Sequence, residues 1–216
     1  MEPDKKPIAV ISGDVVNSTG LTSEQFELLL KRIKDIQQWI TEENTSNAHS
    51  IDRGDEFQTL VHDVEHALRY TIIYRVGIKA LGKEFDSRIS FAIAANADLR
   101  ESISESMGDA FVLSGRGLQA MKTSQLVFNS DRSELCEQFD LLFKYLDRQL
   151  TELTSRQCEV LIPMLRTSES LSVNELAAQL NVATATVSKS LKASGWQLMS
   201  ELNWRFVNQV VGLRYA

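Results

Sequence analysis

The run Pro7-Ile-Ala-Val-Ile-Ser-Gly13 is apolar, partly β-branched and closed by a glycine, which predicts a buried strand. Thr22 with Gln25 has the spacing of a capping box. The helix it opens places Phe26, Leu29, Leu30, Ile33, Ile36 and Ile40 on one face. A polar break at Asn44 to Asn47 leads into two short strands, Ala48–Asp52 and Phe57–His62, around the turn Arg53-Gly54-Asp55. A second helix is expected from Asp63 to Leu81, ending near Gly82, and a further strand over Arg88 to Ala95. This order is β-α-β-β-α-β, the ferredoxin-like plan, with a helix and a strand added at Met107–Met121 and Gln125–Phe128.

Beyond Asp131 the period becomes helical throughout. Leu135, Phe139, Leu142, Leu146, Leu150 and Leu153 recur at three- and four-residue steps, which suits a helix packed on its own domain or a short seam between two subunits. Pro163 is expected to kink or divide the next helix. The organisation predicted is α+β over residues 1–131, a linking helix over 132–153 and an all-α domain over 154–216. Charge follows the same division. From Thr154 onward six basic residues face four acidic ones, leaving seventeen against twenty-five before it, within a total of −6.

The densest local signal runs from Leu171 to Gly195. Ser172 with Glu175 forms a capping box, Leu176, Ala177 and Leu180 face inward, and Asn181-Val182-Ala183 makes a tight turn. The following helix, Thr184 to Ala193, buries Val187 and Leu191 and ends at Gly195. Its other face carries Thr184, Thr186, Ser188, Lys189 and Lys192. Short polar side chains reach base edges and lysines meet phosphates, so this face suits DNA, whereas two helices used only for packing would not need it. The pattern resembles the helix-turn-helix of bacterial transcription regulators. Trp196 to Val211 is expected to close the domain, with Trp196, Met199, Trp204, Phe206 and Val207 mainly in the core.

Acidic chemistry concentrates elsewhere. Asp14 follows the first strand, and Asp55 and Glu56 follow Gly54 in the turn. In the β-α-β-β-α-β plan the first and third strands are antiparallel neighbours, so Asp14 and Asp55 are expected at one rim. Converging carboxylates repel unless a hard cation joins them, which makes Asp14, Asp55 and Glu56 candidate Mg²⁺ ligands. Asn17, Ser18 and Thr19 lie in the loop before the first helix and are candidates to cradle a phosphate. The same residues also suit a structural rim, Asp14 capping the helix region and Asp55 serving its turn. His62 and His66 are four apart, but no third ligand is evident.

Gly-Asp-Val-Val-Asn-Ser-Thr19 resembles the first metal-binding loop of class III nucleotidyl cyclases, and Arg53-Gly-Asp-Glu-Phe57 their second metal turn; the latter is also similar to the signature of GGDEF diguanylate cyclases. Gly108-Asp-Ala-Phe-Val-Leu-Ser-Gly-Arg116 is similar to the cyclase segment that supplies an asparagine and an arginine to the transition state. Arg116 matches that arginine, Val112 stands where the asparagine should be, and Ile51 where adenylyl cyclases place a base-recognising lysine. Over nearly its whole length the chain resembles the SatD family, bacterial proteins with a cyclase-like fold and a C-terminal helix-turn-helix. The resemblance implies a transcription regulator that binds DNA, with a non-catalytic domain sensing a nucleotide and Mg²⁺. The alternative it leaves open is a Mg²⁺-dependent nucleotidyl cyclase or nucleotidyl transfer enzyme, for which Arg116 would meet phosphate. A single DNA-reading module of modest charge binds weakly, so a homodimer is expected. Two cysteines without a C-x-x-C pair, no apolar run of about 18 residues and a charged N-terminus point to the cytoplasm and away from membranes.

Overall fold

The computed structural model describes residues 6–95, 97–100, 102–167 and 171–213. Among them a five-stranded sheet and eight α-helices make a mixed α+β fold. The chain runs β1 (Ile8–Val15), α1 (Ser23–Glu43), β2 (Ala48–Asp52), β3 (Glu56–Val61), α2 (Ala67–Lys79) and β4 (Ser87–Ala94). A two-stranded ribbon, β5 (Ala97–Asp98) with β6 (Met107–Gly108), precedes α3 (Asp109–Ala120) and β7 (Leu126–Ser130). The sheet order is β2-β3-β1-β4-β7, with β1 antiparallel to both β3 and β4, and β7 added parallel to β4. No helix of the described residues is long and apolar enough to cross a membrane.

Strand alternation divides β1 between two layers. Ala9, Ile11 and Val15 face the helices α1 and α2 and belong to the main core, whereas Ile8 and Val10 join Leu60, Ala94 and Ala110 beneath α3. The sheet is therefore covered on both faces. Ser12 and Ser114 share a hydrogen bond of 3.0 Å under α3, and Gly117 lies so close to Ser90 and Asn129 that a Cβ would strike them.

The remaining helices are α4 (Ser133–Glu152), α5 (Ser155–Arg166), α6 (Val173–Gln179), α7 (Thr184–Ala193) and α8 (Trp196–Gly212). The apolar stripe of α4 buries Leu135, Phe139, Leu146 and Leu150 as expected, but Phe143 takes the inward place and Leu142 is 40% exposed. Phe206 of α8 meets Phe91, Phe128, Phe139 and Phe143 at centroid separations of 5.5–6.0 Å, within the range of favourable ring packing. One apolar cluster consequently runs from Ala9 to Val210 across both boundaries expected near 131 and 153. Trp204, expected in the core, is 65% exposed, because the inward side of α8 is occupied by Met199, Leu202, Phe206 and Val210. Pro163 does not divide its helix: α5 continues through it to Arg166.

Cations of α2 tie the C-terminal helices to the sheet layer. Arg75, 1% exposed, donates to Gln125 Oε1 (2.9 Å), Thr151 Oγ1 (3.2 Å) and the Ser87 carbonyl, and pairs with Asp86 at 3.3 Å. Lys79 reaches Asp86 (3.1 Å) and the Thr151 carbonyl (2.6 Å). Arg69 pairs with Glu43, donates to the Leu165 carbonyl at 3.2 Å and lies over Trp39. These contacts satisfy orphan carbonyls at the ends of α4 and α5, where the helix dipole favours positive charge.

Candidate functional site

The first candidate is the end of β1. Gly13 pairs with Phe57 across β3, and a Cβ on Gly13 would collide with the Phe57 ring, which stacks on Tyr74. Gly54 (φ +84°) and Arg53 (φ +53°) form a left-handed turn, and a Cβ on Gly54 would meet the Phe26 ring. Packing alone thus explains both motif glycines. The turn closes onto β1 where Val15 N donates to the Asp55 carbonyl (3.0 Å), while Val16 N donates to that of Asp86 (2.9 Å).

These bonds bring the two acidic segments together, as expected, but their carboxylates have separate partners. The register pairs Asp14 with Glu56 on one side and with Arg88 on the other, so these three charged residues share the sheet face that α3 covers farther along. Arg88 grips Asp14 at two points, Nε to Oδ1 at 2.9 Å and Nη2 to Oδ2. The carboxylate holds the guanidinium pKa above its ordinary value. Asp55 stands one residue off that register and accepts the Ser18 hydroxyl at 2.6 Å. Arg88 is the rim residue that sequence reasoning passed over; its position opposite Asp14 follows only from the β1–β4 register.

Both oxygens of Asp14 are engaged by a guanidinium, Asp55 answers to Ser18, and among the described residues no three His, Cys, Asp or Glu side chains gather around one point. The phosphate cradle is also partly spoken for. Thr22 and Gln25 use each other's amides in the capping box, and Gly20 N and Leu21 N bond within the loop. Asn17 (φ +55°) and Thr19 are exposed and Ser18 is half-buried. Arg116 is exposed on α3, about 200° around the helix from the sheet-facing Ser114. Val112 is exposed, and Ile51 packs against the main core.

A polar chain crosses the α1–β2–β3–α2 layer. Thr41 donates to the Gln37 carbonyl, so its oxygen receives His49 Nε2–H at 3.1 Å; Nδ1 then accepts from Thr59 (3.0 Å), and Tyr74 donates to Thr59 (2.7 Å). Burial lowers the His49 pKa to about 4. His66, also held low by burial, packs beside Tyr70.

The second candidate is α7. Val160, Leu176, Ala177 and Val187 form a small core among α5, α6 and α7. Ser172 and Glu175 make the expected capping box, and α6 ends on Asn181 (φ +51°), with Val182 N donating to the Ala177 carbonyl at 3.0 Å. The turn aims α7 so that Val187 is buried and Leu191 half-buried, while Thr184, Thr186, Ser188, Lys189 and Lys192 are all exposed. No carboxylate lies on α7.

No protein-family model and no curated protein sequence matches this chain. Among solved structures, the guanylyl cyclase Cya2 is similar over 59% of this chain and 77% of its own, with 15% identity and a TM-score of 0.43. A bacterial light-regulated adenylyl cyclase is similar over 56% and 74%, with 14% identity and a TM-score of 0.39. Likenesses of this size leave the chemistry to be argued from the chain's own residues.

Proposed function

We propose that this chain is a transcription regulator of the SatD type, binding DNA through α7 and carrying a cyclase-like domain that senses a nucleotide without catalysis. The observation that carries this reading is the exposed face of α7: five short polar or cationic residues, no carboxylate, and a buried Val187 behind them. A helix so presented offers hydroxyls to base edges and ammonium groups to phosphates. The strand order β2-β3-β1-β4 supports a ferredoxin-like core, extended by α3 and β7, and Asn17, Ser18 and Thr19 stand beside its acidic rim. Engagement of Asp14 by Arg88 favours sensing over the rival Mg²⁺-dependent nucleotidyl transfer.

Fluorescence anisotropy on fragments of the source genome tests the DNA reading. Lys189→Ala and Lys192→Ala are each expected to weaken binding several-fold and to reduce the salt slope by roughly one. Equal affinity in both variants, or no binding to any fragment, would overturn it.

The reading includes a homodimer. Leu142 (40% exposed), Tyr145 (66%) and Leu198 (73%) border a groove of about 490 Å³ between α4 and α8. These side chains make an exposed apolar patch in a single groove, of the kind that marks an interaction surface. The flanking charges are already paired along their own helices: Asp140 with Lys144, Arg148 with Glu152, Glu201 with Arg205. Such a neutral surface meets its own copy without repulsion, which favours a second identical chain as its occupant.

A further inference from the structure

We infer that Arg88 takes the place of a metal ion at the end of β1, so that this rim is neutralised by the protein itself and not by a bridging divalent cation. The inference rests on the reading of the N-terminal domain as a non-catalytic cyclase relative, and adds to it the charge that makes the rim stable. Two carboxylates, Asp14 and Glu56, lie directly across from each other on neighbouring strands, a placement that costs energy unless positive charge is near. Arg88 supplies that charge from the third strand of the row, in register with Asp14. Its planar fork matches the carboxylate at two points and uses both oxygens, which a cation ligand must leave at least partly open.

The grip is part-buried: the side chain of Asp14 is 19% exposed and that of Arg88 41%, and β1 is held there on both sides by the main-chain bonds of Val15 and Val16. A divalent ion entering beside Asp14 would sit against a guanidinium that is always charged, and repulsion from it would offset the attraction of the carboxylates. The second acidic point offers no relief. Asp55 is committed to Ser18, and its carbonyl to Val15.

Removing the arginine should therefore expose a latent cation site between Asp14 and Glu56. The experiment is a thermal melt of the full chain with and without millimolar Mn²⁺, for the native chain, Arg88→Ala and the double variant Asp14→Asn/Arg88→Ala. The native Tm is expected to be unmoved by Mn²⁺. Arg88→Ala should melt about 3 °C lower, and Mn²⁺ should restore much of that loss. In the double variant the response should vanish. A native Tm that rises with Mn²⁺, and ceases to rise in Asp14→Asn, would overturn the inference; so would an Arg88→Ala protein that folds but ignores Mn²⁺. Should Arg88→Ala fail to fold, Mn²⁺ binding to the native chain, read from the loss of the free-ion electron-spin signal, decides the matter by itself. A thermal shift of the native chain with ATP or GTP in the absence of divalent ion is measured separately, so failure of the nucleotide-sensing reading is distinguishable from failure of this one.

Discussion

At the scale of single residues, His49 illustrates how burial converts a titratable group into a stability device. Its neutral ring donates to Thr41 and accepts from Thr59, and protonation would put a second donor against a hydroxyl already donating to it. The folded pKa lies near 4 against an ordinary 6.5, so the unfolded chain binds more protons between those values. Stability from this group is complete above pH 6.5 and is lost as pH falls toward 4. Discounted for partial exposure, the loss is on the order of 2 kcal/mol. Urea midpoints from pH 4 to 7.5 should fall less steeply for His49→Gln than for the native chain, and parallel curves would remove His49 from the account. The chemistry of this residue was not legible in the sequence, where it stood only as one of three histidines; its partners come from α1, β3 and the network behind them.

Among the elements, α4 shows what periodicity reveals and what it leaves open. The stripe of apolar residues predicted the helix and most of its buried side, but not which residues of a wide stripe face inward. Phe143 rather than Leu142 turns to the sheet, which leaves Leu142 beside Leu141 and Tyr145 on the outer side. If that side pairs two copies, Tyr145→Asp buries a charge in an apolar contact. Light scattering should then find a dimer for the native chain at micromolar concentration and a monomer for the variant, with an unchanged far-UV circular dichroism spectrum for the variant's fold. A native monomer at that concentration would remove the α4–α8 face from the proposal. The capping boxes at Thr22 and Ser172, by contrast, were read from three-residue spacings and are found as expected, because a cap depends on neighbours in the chain and little else.

For the whole molecule, the decisive feature is the return of α8 to the sheet. Phe206 fills a space among Phe91, Phe128, Phe139 and Phe143, and Arg69, Arg75 and Lys79 fasten α4 and α5 to α2. A signal at the rim would thus pass through packed elements rather than along a free linker. Phe206→Ala is expected to cost about 3–5 kcal/mol. Because the core is shared, circular dichroism and tyrosine and tryptophan fluorescence should lose structure in one coincident transition, shifted as a whole. Two separated transitions in the variant would instead indicate that the helical part folds independently.

The sequence by itself determined the local matters: the order of the helices and of the five strands of the main sheet, though not the β5–β6 ribbon, the capping boxes at Thr22 and Ser172, the turn residues Gly54 and Asn181, and the exposed polar face of α7. Each depends on residues within a few positions of one another, or on a period along one element. What only the tertiary structure decided was the set of partners drawn from distant segments: Arg88 on Asp14, Ser18 on Asp55, His49 between two threonines, and Phe206 beneath the sheet. Those pairings follow from strand register and packing, in which a shift of one residue exchanges one face for the other.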